Sequence, residues 1–124
     1  MSLISNIENL ATAIRDKFNS LLSVHDKGNV SGAVAVDYAD GSVQKLTVTA
    51  DITTLTISNW PAAGSKGQLV LYLDLSADRA CTFSGVTGWA TGSAPALKSG
   101  LNELVFTTID GGTKVIGHAV ALGI

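Results

Sequence analysis

Few residues in this chain could do chemistry, and their spacing assembles none of the constellations that chemistry needs. His25 and His118 are the two histidines. Neither has a Cys, Asp or Glu partner at ligand spacing, so no metal site is expected. His118 alternates with apolar neighbours, as a satisfied or interfacial histidine does. Nucleophilic catalysis needs an activated Ser or Cys beside a base, and neither a G-x-S-x-G elbow nor a Cys/His signature occurs. Gly64-Ser65-Lys66-Gly67 lacks the upstream glycine and the Lys-Ser/Thr pair of a phosphate loop, and reads as a turn. Asp74, Asp78, Glu103 and Asp110 could in principle supply the carboxylate pair of a glycosidase, but acidic residues beside turns ordinarily serve the turn. Asp110-Gly111-Gly112 lacks the further oxygen ligands of a calcium loop. The single cysteine, Cys81, has no partner for an internal disulfide and reads as a small buried hydrophobe on a strand. The expectation is a protein that is not an enzyme and carries no cofactor and no metal.

The aromatic residues offer a binding alternative. Trp60, Trp89 and Tyr72 could stack on the sugar rings of a host-surface glycan. Trp60 and Trp89 each follow a strand and stand beside a loop, where tryptophan equally well closes the end of a core with its N–H partnered.

The elements that must position these residues are mostly strands. In residues 68–76, QLVLYLDLS, Leu69, Leu71, Leu73 and Leu75 fall on every second position. That alternation puts four leucines on one face of a strand, which a packed sheet must cover. Around it lie short strands and turns: residues 33–38, 43–50, 53–58, 80–84, 85–89, 101–109 and 113–124. Asp40-Gly41 and Asp110-Gly111-Gly112 are tight hairpin signals. In the last segment Ile116, Val120 and Leu122 share one side, and Gly117, Ala119 and Ala121 the other, which allows close backbone approach. The expected fold is mainly β: an N-terminal α-helix, then an antiparallel, jelly-roll-like β-sandwich of about eight strands over residues 32–124.

Residues 1–23 hold the one helical pattern. Ile4, Ile7, Ala11, Ile14, Phe18 and Leu21 occupy consecutive a and d positions of three heptads. Ser5-Asn6-Ile7-Glu8 matches a capping box, with Ser2 as the alternative cap. A helix this short is marginal alone, so it must dock, either on its own β-domain or in a parallel bundle of identical helices. Ile-rich a and d positions favour three or four strands in such a bundle. Residues 24–31, polar and containing Gly28, read as a hinge with His25 in solvent.

Composition narrows the partners. Apolar residues are 46% of the 124, charged residues only 15%, and the net charge is −2. Phosphate binding needs clustered Lys and Arg, so nucleic acid is not an expected partner. No run approaches the ~18 apolar residues of a membrane span, and charges interrupt residues 8–17, against a signal peptide. Burial between subunits is the simplest account of so apolar a chain.

Segment 69–117 resembles a small β-module of tailed-bacteriophage virion proteins, found in fibre, spike and capsid-decoration proteins. The likeness lies in the LYLDLS strand (residues 71–76), Phe83, Gly88-Trp89, Gly92 with Ala94-Pro95-Ala96-Leu97, the LVFTTIDGG run (residues 104–112) and Gly117. The threonine-rich residues 43–60 ending in SNWP also fit, and LATAIRDKFN (residues 10–19) is similar to the start of many phage fibre proteins. The resemblance implies a homotrimer on a virion surface, made in the host cytoplasm, whose partners are its own copies and the major capsid protein or another virion protein. Without a long repetitive shaft or a receptor-binding tip, the chain suits capsid decoration or a short head fibre. A tail-fibre or baseplate attachment role is the alternative.

Overall fold

The computed structural model describes residues 2–124, leaving aside the side chains of residues 19–22. The chain is mainly β with one N-terminal helix. Helix α1 (Leu3–Leu22) is followed by β1 (His25–Val30), β2 (Ala33–Asp37), a 3-10 turn (Tyr38–Asp40), β3 (Val43–Val48), β4 (Ile52–Ser58) and β5 (Gly67–Leu75). Then come β6 (Cys81–Ser84), β7 (Gly88–Trp89), β8 (Gly100–Thr108) and β9 (Ile116–Ala121).

The strands form a six-stranded sheet, β1-β3-β5-β8-β9-β7, and a three-stranded sheet, β2-β4-β6. From β1 to β6 the chain alternates between the two. Each strand pairs parallel with the one two ahead of it. Parallel neighbours need a crossover, usually a helix; here the crossover is the intervening strand of the facing sheet. The result is a short coil of three turns, of the solenoid type. Its corners stack by hydrogen bonds: Gly32 N donates to Asp51 O, and Ile52 N to Ala80 O. The Asp51 carboxylate adds a bond from Ala80 N at 3.0 Å. After β6 the coil ends, and β8 and β9 complete the large sheet antiparallel to β5 and to each other.

This mixed topology corrects the expected antiparallel, jelly-roll-like arrangement. Inside/outside alternation has the same period in parallel and antiparallel strands, so it carries no strand direction. Asp40-Gly41 likewise turns no hairpin; it carries the chain from β2 in one sheet to β3 in the other. The expected hinge at residues 24–31 is largely strand β1, paired with β3 through a bulge at Gly28. Its polar sequence is that of an edge strand, where charges and bulges blunt further pairing. Of the two caps considered for α1, Ser2 is the one used: its Oγ accepts from Ser5 N at 3.2 Å, which keeps Ile4 inside the helix.

The alternating apolar positions meet between the sheets in one core. Leu69, Leu71, Leu73 and Leu75 of β5 are buried with Leu46 and Val48 of β3 and Leu104 and Phe106 of β8. From the small sheet come Val34, Val36, Ile52 and Leu55. Two buried amides secure the strand ends. Gln44 Nε2 donates to Asp37 O and Gly41 O, holding the β2–β3 crossover. Asn102 Nδ2 donates to Lys98 O at 2.8 Å, and its Oδ1 accepts from Lys98 N and Gly123 N. One side chain thereby ties the entry of β8 to the C-terminal residues.

Two stability predictions follow from this packing. Leu73→Ala removes a side chain with no solvent exposure and should cost ~2–5 kcal/mol, read as a lower urea midpoint at fixed protein concentration. Asn102→Leu leaves backbone groups of Lys98 and Gly123 without their partner, and each such hydrogen bond lost costs roughly 0.5–1.5 kcal/mol. It should therefore lower the midpoint comparably, and a variant as stable as the parent would show that water serves those groups equally well.

Candidate functional site

The helix stripe is exposed. Ser2 caps α1 and the a and d positions then recur on one face, yet no strand covers that face. Ile4, Ile7, Ile14 and Phe18 keep between 57% and 69% of their surface in solvent, and Ala11 is exposed with them. Leu21 lies outside the described side chains. Leu3 and Leu10 widen the stripe and are equally exposed.

The two tryptophans sit against glycines. A Cβ on Gly117 of β9 would come within 2.6 Å of the Trp89 ring. Trp89 also meets Phe83 edge-on at 4.9 Å and Phe106 at 5.7 Å. Because Phe83 belongs to the small sheet, this cluster joins the β7 edge of the large sheet to the β6 edge of the small one. The close approach expected at Gly117 is therefore made by an indole ring and not by another backbone, because the ring of Trp89 fills the space a Cβ would take. Trp60 covers Gly67 and Gly112 in the same way and lies 5.2 Å from Tyr38. Both indoles remain half-exposed. Trp60 lines a cavity of about 250 Å3 with Thr56, Ser58, Asn59 and Val86.

Tyr72 points outward from β5, and its hydroxyl donates to Glu103 Oε1 of β8 at 2.7 Å. That bond, then burial, then the charge of Glu103 hold its phenol above the usual tyrosine range.

The remaining polar candidates are dispersed. Asp110 accepts from Thr108 Oγ1 and Lys114 N, so it builds the β8–β9 turn, and these bonds, the Lys114 one foremost, hold its carboxyl below the usual range against some opposing burial. Asp78 accepts from Ser99 N, and Asp74 stands opposite Leu101 across the sheet. His25 Nε2 is 3.9 Å from Asp40, while His118 pairs with Val105 on the outer side of the large sheet. Burial pushes the Cys81 thiol up to about 12, which removes its nucleophilic thiolate at neutral pH. Among the described residues no group of three or more His, Cys, Asp or Glu could hold a metal ion, and no helix is long and apolar enough to cross a membrane.

Sequence reasoning left one surface unassigned. Leu101, Ile109 and Ile116 are exposed on the outer side of β8 and β9 or just beyond. The signal was present in the last segment, where Ile116 and Val120 oppose Gly117 and Ala119, but without the partner strand nothing said which side was inside. No protein-family model, no curated protein and no solved structure matches the chain.

The Tyr72–Glu103 bond has a pH signature. A phenol with a raised folded-state pKa contributes its stabilisation fully below the unfolded value of ~10 and loses it as pH rises through the folded value. Titration by phenolate absorbance should show a step above the ordinary tyrosine range that Tyr72→Phe removes. A Tyr72→Phe titration that loses no such step would contradict the bond.

Proposed function

We propose that this chain is a non-enzymatic structural protein of a tailed-bacteriophage virion, most simply a homotrimeric capsid decoration protein or short head fibre. The observation that carries the reading is the exposed apolar stripe of α1. A solitary helix of this length is marginal in water, and among the described residues its stripe is exposed rather than packed on its own β-domain. Association of copies supplies the missing cover. Isoleucine at positions 4, 7 and 14 of an a/d pattern favours three or four strands over two. The resemblance of segment 69–117 to a β-module of virion proteins supplies the setting. A helix for assembly and a rigid β-body for coverage suit attachment to the major capsid protein or another virion protein.

Two measurements test this. Sedimentation equilibrium should give three times the chain mass. Ile7→Asp with Ile14→Asp should reduce it to a monomer with the β-signal in circular dichroism retained. A wild-type monomer at micromolar concentration defeats the assembly reading. A cryo-EM map of the parent particle should place the protein on the capsid exterior; density at the baseplate would move it to the tail.

A further inference from the structure

We infer that the outer face of the six-stranded sheet is a second surface through which copies of this chain bind one another, beside the segment that leaves α1. The inference rests on the self-association reading above and extends it to the β-domain.

The two sheets differ sharply on their outer sides. On the small sheet the outward row Ala35–Thr56–Ser84 is in register, and Ala33, Thr54 and Ser58 stand beside it. Among the described residues no exposed large hydrophobic lies on that sheet. On the large sheet Val43, Val70 and Val105 stand in one cross-strand row that ends at His118. Exposed Leu101, Ile109 and Ile116 extend this apolar surface along β8 and β9. A sheet with one solvated face alternates apolar inside with polar outside. Along the valine row and β9 the large sheet departs from this, although polar rows flank the valines, and an exposed apolar patch of this kind marks an interaction site.

Two features identify the occupant as a second copy. The first is proximity. Val24, two residues beyond α1, lines a groove of about 440 Å3 with Lys45, Tyr72, Asp74, Leu101 and Ile124. The segment leaving α1 therefore lies beside this face, and copies joined along α1 hold these faces near one another. The second is charge. The row beside the valines runs Lys45–Tyr72–Glu103 across β3, β5 and β8, with its cation at one end and its anion at the other. In a head-to-tail ring one patch meets a different patch of the next copy, and opposite charge then sets Lys45 of one copy against Glu103 of the next. The small sheet, with its alanine and hydroxyl residues, is then left facing outward.

The test uses the full chain and sedimentation velocity over a concentration series, with circular dichroism as the folding control. Val70→Lys with Val105→Lys should raise the dissociation constant of the oligomer at least ten-fold with the fold retained. Lys45→Glu should weaken association, and adding Glu103→Lys to it should restore at least part of the loss. If the valine variant does not fold, the charge pair decides. An oligomer that Ile7→Asp with Ile14→Asp dissociates, but that neither the valine nor the charge variants weaken, overturns this inference and leaves the helix reading standing. A wild-type monomer defeats both.

Discussion

The inward ladder of leucines on β5 is the constraint on which the structure depends. Leu69, Leu71, Leu73 and Leu75 are at most 2% exposed, and β5 lies where two kinds of sheet meet. On one side it pairs parallel with β3, the previous turn of the coil. On the other it pairs antiparallel with β8 over nine residues. Slipping β5 by one residue would send all four leucines outward, so its burial sets the register of both neighbours. The three-stranded sheet must then close over the same leucines, since strands β2, β4 and β6 are the links between turns of that coil.

A parallel coil raises the question of how its strand ends are finished. Corner hydrogen bonds through Gly32, Asp51 and Ala80 continue the pairing around one bend. At the opposite bend Gln44 takes the role, spanning the backbone of Asp37 and Gly41. The antiparallel β8–β9 pair stops the large sheet from propagating as a coil, and Asn102 anchors its entry to the C-terminal residues. Trp89 then closes the gap between the far edges of the sheets, a position open only because residue 117 lacks a Cβ.

The molecule is two-sided as a consequence. Its core is complete within one chain, yet the described helix stripe and parts of the outer side of the large sheet expose large apolar residues, while the small sheet presents alanine, threonine and serine. A charged content of 15% is low for a chain that keeps all its surface in water. It is less anomalous if part of that surface is shared between copies, because subunit interfaces are depleted of charge at their centres.

Much of this organisation was legible in the residues. Period-two alternation identified the buried face of β5, and the a/d spacing located α1, because both patterns arise from local backbone geometry. Gly117, on the side opposite Ile116 and Val120, announced a close approach, although the approaching group was an aromatic ring from a distant segment and not a backbone. Strand direction was not legible, since alternation is the same in parallel and antiparallel sheets. Strand β1 was read as a hinge because an edge strand is selected for polar residues that resist pairing. The buried amides of Gln44 and Asn102 sit in apolar rows where no local rule asks for them; their partners are backbone groups that come within reach only when the coil closes. Which side of the last strands faces outward was also settled by the tertiary structure, because a residue pattern defines two faces and only the packed partner decides which is the inside.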